Sequence, residues 1–126
     1  MSGNHRFVLD TNAVVSLLAG NRELSAQLKD AEYVGISVIS YLEFLAFDGL
    51  SDSDHACFAA FCNRINVESL SLDDSKLMKL ALDLRSNHRL KLPDAIIGAT
   101  ALSRKALLIT NDSHFSGIAM LAVQGC

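Results

Sequence analysis

The chain has 126 residues, half of them hydrophobic, and a formal net charge of −3. That is enough apolar material for one domain spanning 1–126 with its own core, and it excludes a disordered chain. No apolar run reaches the ~18 residues of a membrane span, and the start Met1-Ser2-Gly3-Asn4-His5-Arg6 has no signal-peptide pattern, so the reading is a cytoplasmic protein with no membrane role.

Strand-like and helix-like segments alternate. Phe7 to Leu9 is the first strand. A helix follows from about Thr11 and is closed by Gly20, the residue that best accepts a left-handed cap. Asn21 caps a second helix through Asp30. Tyr33-Val34-Gly35-Ile36 reads as a strand, and Ser37 caps the helix Val38 to Phe47. Ser51 or Ser53 opens a helix to Arg64. Val67 to Leu72 alternates as a third strand. Asp73 or Asp74 opens an amphipathic helix with Leu77, Leu80, Ala81 and Leu84 on one stripe. Pro93 suits the first turn of the helix that ends near Lys105. Ala106 to Thr110 and Met120 to Val123 are the last strands. Alternating β and α elements predict a parallel sheet covered by helices on both faces.

The cysteines, Cys57, Cys62 and Cys126, are odd in number and lack a C-x-x-C spacing. They read as reduced thiols, with Cys57 and Cys62 as small core hydrophobes. The four histidines are scattered and form no zinc-ligand pattern with them. Net acidity is unusual for a nucleic-acid binder. Yet if four of the 14 acids hold a metal, the 11 basic residues outnumber those that remain, so a polyanionic substrate is not excluded.

Four acidic positions stand out. Asp10 follows the first strand, where open α/β sheets bind ligands, and it is equally a helix N-cap. Glu43 shares a helical face with Ile39, Ala46 and Phe47, where an unpaired carboxylate is costly; Ser40, three residues back, offers the alternative of a narrow polar stripe. Asp94, in Leu92-Pro93-Asp94-Ala95-Ile96-Ile97-Gly98, suits a first helical turn. Its apolar flanks, and a glycine one turn on where a backbone or ligand could approach, suggest more. Asp112, after Leu107-Leu108-Ile109-Thr110-Asn111, is a turn residue that repeats the arrangement at Asp10. Brought together, four carboxylates repel one another, and a hard divalent ion relieves the conflict. A carboxylate cluster selects Mg²⁺ or Mn²⁺ over zinc.

Four segments carry a family likeness: Val8-Leu9-Asp10-Thr11-Asn12, Ile36-Ser37-Val38-Ile39-Ser40 leading to Glu43, Leu92-Pro93-Asp94-Ala95-Ile96-Ile97, and Leu108-Ile109-Thr110-Asn111-Asp112 with His114-Phe115. In this order and spacing the chain resembles the PIN-domain ribonucleases, especially the VapC toxins of toxin–antitoxin pairs. The resemblance implies an α/β fold, a PIN-like three-layer sandwich on a parallel five-stranded sheet of order 3-2-1-4-5. It implies that Asp10, Glu43, Asp94 and Asp112 form a catalytic site for Mg²⁺ or Mn²⁺, with Asp10, Asp94 and Asp112 as ligands. Thr11, Asn12 and Thr110 would position water or phosphate. The implied partners are an RNA substrate, a VapB-type antitoxin and a second copy in a homodimer.

The expected reaction is metal-assisted hydrolysis of an RNA phosphodiester, leaving a 5′-phosphate and a 3′-hydroxyl. The densest cationic stretch, Arg85-Ser86-Asn87-His88-Arg89-Leu90-Lys91, precedes Asp94. Arg85, Arg89 and Lys91 there either guide the RNA backbone or form a solvated helix end. Two other classes are weighed. A PIN-like RNA-binding module would keep the pocket without turnover. An aspartate-nucleophile phosphatase would attack through Asp10, but such enzymes want a second Asp two positions on, where this chain has Asn12.

Overall fold

A computed structural model describes residues 5–126; residues 1–4, on which the signal-peptide reading partly rests, lie outside it. At its centre is a parallel five-stranded sheet of order β3-β2-β1-β4-β5, the predicted topology. In chain order the elements are β1 (Arg6–Leu9), α1 (Thr11–Leu18), α2 (Arg22–Leu28), β2 (Tyr33–Ser37), α3 (Val38–Leu45), α4 (Asp52–Cys62), β3 (Asn66–Glu68), α5 (Ser75–His88), α6 (Leu92–Ser103), β4 (Leu107–Ile109) and β5 (Val123–Gln124), with a 3-10 turn at Ser113–Phe115.

The central strand divides the core. Side chains of a strand alternate between faces. Phe7 and Leu9 therefore pack with Val14, Leu24, Phe44 and Phe58 of α1 to α4, while Val8 packs with Leu84 and Ile97 of α5 and α6. Each of these three β1 side chains is at most 1 % exposed, and burial of each contributes roughly 1.5–3 kcal/mol. The arrangement is the predicted three-layer sandwich. Gly98 serves packing rather than a ligand: a Cβ there would stand 3.0 Å from Leu84 Cδ1 and 3.7 Å from Phe115 and Leu121.

Most helix starts follow the sequence. Asn21 accepts from Leu24 N at 3.0 Å, Ser37 from Ile39 N at 3.0 Å, and Asp74 from Leu77 N at 3.1 Å. Ser51 and Asp54 form a reciprocal capping box. Gly20, at φ +102°, closes α1 as expected.

Three expectations need correction. The last strand is Val123–Gln124, not Met120 to Val123, because it pairs with β4 only at Leu108 and Ile109. The third strand is Asn66–Glu68, not Val67 to Leu72. Its partner β2 turns into α3 after Ser37, the residue opposite Glu68, so the chain beyond has nothing to pair with and Leu72 is 90 % exposed. The remaining one concerns the cysteines. All three are free, as expected, but Cys57 is exposed and Cys62 only partly buried. α4 turns Phe58 inward and leaves its neighbour Cys57 facing solvent.

Tyr33 crosses the sheet surface above Gly35 and donates its hydroxyl to Glu68, which also accepts from Arg104 Nη2 at 2.7 Å. Arg6 lies over the Tyr33 ring, 4.7 Å from its centroid. Burial pushes the Tyr33 hydroxyl well above its usual pKa, reinforced by Glu68. Burial alone would raise the Glu68 carboxyl, but its hydrogen bonds from Arg104 and Tyr33 outweigh this and hold it below the ordinary range.

A Cβ at Gly35 would collide with the Tyr33 hydroxyl and stand 2.7 Å from Tyr33 Cζ. Gly35→Ala is therefore expected to destabilise by about 1–3 kcal/mol in denaturant titration, and by much less in a Tyr33→Ala background. Because Glu68 is more acidic folded than unfolded, its contribution is full above the unfolded pKa of ~4.3 and is lost as pH falls through the lower folded value. Glu68→Gln should flatten that acid limb of a stability-versus-pH curve.

Candidate metal centre

The carboxyl ends of β1 and β4 lie side by side, and Asp10 N continues their ladder to Ile109 O at 3.0 Å. Just beyond, the chain places Asp10 on one strand end and Thr110, Asn111 and Asp112 on the other. Asp10 is an N-cap as well as a pocket residue: Oδ1 accepts from Thr11 N at 2.8 Å. Oδ2 accepts from Thr110 Oγ1 at 2.7 Å and from Asn12 Nδ2 at 3.2 Å. Asn12 and Thr110, two of the side chains expected to position water or phosphate, thus hold Asp10. Three of roughly four lone-pair sites on this carboxylate are engaged, and the residue is 5 % exposed.

Thr110, 3 % exposed, also accepts from Asp112 N at 3.0 Å, and Asn12 Oδ1 accepts from Asn111 N at 2.9 Å. Asp112 caps the 3-10 turn by accepting from His114 N at 2.9 Å. Asp94 occupies the first turn of α6 behind Pro93. Glu43 lies on α3 and accepts from Thr11 Oγ1 at 2.6 Å.

Asp10, Glu43, Asp94 and Asp112 share one cleft of about 690 Å³, together with Thr11 and Asn12. Val15, Ala46 and Phe47 add apolar side chains to its lining. The desolvation argument for Glu43 is corrected, because Glu43 is exposed. α3 lies along the cleft and buries only Ser40 and Phe44, so the face carrying Glu43 opens to solvent. The carboxylate is in the site without being buried.

A smaller cleft of about 170 Å³ adjoins the first, and Asp94 lines both. His88, Arg89, Leu90, Lys91 and His114 form the rest of its wall. Of the three cations picked from the sequence, Arg89 and Lys91 are therefore beside the acids; Arg85 lines neither cleft. His114 is the residue that sequence reading passed over. Its place two residues after Asp112 was the available signal, but a histidine without a zinc pattern was set aside.

Burial raises the Asp94 carboxyl above its ordinary pKa, and the charges of Asp112, Asp10 and Glu43 raise it further. His114 acts the other way. This is the electrostatic conflict that a bound cation would resolve. An oxygen-rich donor set of this kind fits a hard divalent ion. Among the described residues, Asp94, Asp112 and His114 form one tight group, with ligand atoms all within 4.8 Å of one another. Asp10 and Glu43 line the same cleft outside that group.

Comparisons with known proteins agree with the fold. The sequence profile of the PIN domain matches residues 7–121. No curated protein gives a significant match. A chain of a toxin–antitoxin complex from Klebsiella pneumoniae is similar, at 28% identity and a TM-score of 0.73, over 91% of this chain and 94% of that one. A chain of VapBC2 from Rickettsia felis, bound to a DNA fragment from their promoter, superposes at a TM-score of 0.79 with 19% identity, covering 96% and 98%. DNA-bound VapBC from Salmonella typhimurium gives 0.71 with 20% identity, covering 95% and 97%. At their level of identity the last two bear on the fold alone.

Removing one carboxylate relieves repulsion. Without metal at pH 7, Asp94→Asn is expected to melt no lower than the unmutated protein. Asp94 binds its proton more tightly folded than unfolded, so the unmutated protein should gain stability as pH falls towards that raised value, and the variant should not. Thermal melts with and without Mg²⁺ or Mn²⁺ check both points, since added cation should stabilise the unmutated chain much more than the variant.

Proposed function

The chain belongs to the PIN-domain family, and from that premise we propose that it is a Mg²⁺- or Mn²⁺-dependent endoribonuclease, the toxin of a VapBC-type toxin–antitoxin pair. The observation that carries this reading is the convergence of Asp10, Glu43, Asp94 and Asp112, from four separate elements, on one cleft at the carboxyl edge of the sheet. Such a set repels itself when empty of cation and binds one when loaded.

Asp94, Asp112 and Asp10 would hold the ion. When bound, it supplies a water of lowered pKa and neutralises charge on the phosphoryl oxygens. Glu43, held by the Thr11 hydroxyl, orients the attacking water and accepts its proton. Thr110 and Asn12 fix Asp10 in one rotamer, which keeps a ligand in place before substrate arrives. Arg89 and Lys91 bind a neighbouring phosphate. In-line attack by water leaves a 5′-phosphate and a 3′-hydroxyl.

The 28% identical toxin–antitoxin neighbour supports a VapB-type antitoxin as partner. Phe47, in the cleft lining, is 46 % exposed, and Leu42 and Leu45 of α3 are 56 and 36 % exposed, apolar surface of the kind a docked peptide covers. We also read residues 1–126 as one PIN-like domain and the chain as a cytoplasmic homodimer. Among the described residues no helix is long and apolar enough to cross a membrane.

The test is cleavage of a mixed RNA pool by the purified protein. The unmutated chain should cut in Mg²⁺ or Mn²⁺ and stop in excess EDTA. Asp10→Asn and Asp94→Asn should each lower the rate at least ~100-fold. Binding of RNA without any cleavage would replace this reading with that of a binding module, and cleavage that persists in EDTA would remove the metal from the mechanism.

A further inference from the structure

His114 has no part in the mechanism above, yet its ring nitrogen faces two of the acids. Nδ1 stands 3.0 Å from Asp112 Oδ1 and 3.9 Å from Asp94 Oδ2. Around a six-coordinate ion with ligands at ~2.1 Å, adjacent ligands are ~3 Å apart and opposite ones ~4.2 Å. The 3.0 Å separation matches adjacent ligands, and 3.9 Å lies inside the span of opposite ones, so all three groups are within reach of one ion.

The position is not left to a flexible side chain alone. The His114 backbone N–H donates to the Asp112 carboxylate inside the 3-10 turn, which anchors the backbone of His114 beside that acid. A simple hydrogen bond to Asp112 would explain the shorter distance. It would not require the same nitrogen to lie within 4 Å of a carboxylate from α6 as well.

We infer that His114 Nδ1 is a metal ligand alongside Asp94 and Asp112, and that the centre is a mixed nitrogen–oxygen site preferring Mn²⁺ over Mg²⁺. This rests on the divalent-metal reading above and adds the identity of the ion. Mg²⁺ favours oxygen ligands and gives up water reluctantly, whereas imidazole binds the first-row transition ions better. The preference would come from one residue outside the four acids.

The experiment is electron spin-echo spectroscopy of Mn²⁺ added to the EDTA-treated full chain at pH 8. The echo should carry nitrogen-14 modulation from imidazole in the unmutated protein, and His114→Gln should abolish it. That variant should also bind Mn²⁺ about tenfold more weakly while Mg²⁺ affinity changes less. Bound Mn²⁺ with no nitrogen modulation would overturn the role of His114 and leave the nuclease reading standing. Modulation that survives in His114→Gln would also overturn it, pointing to His88 in the adjoining cleft. Failure of the unmutated chain to bind Mn²⁺ at all would remove both readings. A second variant guards against a folding defect in the first: His88→Gln should keep the modulation, and its loss there would overturn the assignment to His114.

Discussion

One hydroxyl holds the two halves of the cleft together. Thr110 Oγ1 donates a hydrogen bond to Asp10 and accepts one from the backbone N–H of Asp112. It lies at the end of β4, buried, where water cannot replace either bond. Two acids from opposite ends of the chain are thereby held at a fixed offset. The adjacent parallel strands β1 and β4 supply the coarse alignment, and this hydroxyl with the Asn12 amide supplies the fine one. What remains is electrostatic: neutral donors hold charged groups close, against a repulsion that registers on Asp94.

The surrounding fold makes that tension tolerable. β1 is buried on both faces by separate clusters, so neither core depends on the residues at the strand ends. Stability comes from the sheet and its helices, while the cleft sits on the loops and first helical turns that leave them. Sites of this sort commonly trade stability for chemistry. The Tyr33–Glu68–Arg104 group does the opposite. There the charges are paired, and Glu68 is stabilised by its neighbours rather than strained by them.

Much of this was legible in the sequence because it was written locally. Asn21, Ser37, Ser51 and Asp74 cap helices through bonds to residues at most three positions away. β1 and the Asp10 and Asp112 positions read clearly because apolar runs end abruptly in small polar residues. The errors came where the outcome depends on remote parts of the chain. β3 stops early because its partner turns away, which no inspection of Val67 to Leu72 discloses. Cys57 faces solvent because a single helix face is covered. Glu43 was chosen for a burial it does not have; it is exposed, and it reaches the cleft because α3 borders the opening. His114 was invisible as a ligand because its relation to Asp94 spans two elements.

The lining of the main cleft is chemically mixed. Carboxylates share it with the apolar side chains of Val15, Ala46 and Phe47. A small-molecule inhibitor of such a groove would need a chelating head, such as a hydroxamate or a diketo acid, joined to a flat greasy tail. Neither part would suffice alone: a bare chelator strips metal from any enzyme, and a bare aromatic has no anchor in a shallow trough. Selectivity would then come from the tail, since a chelating head answers to the metal alone while the tail must fit the surface of Val15, Ala46 and Phe47.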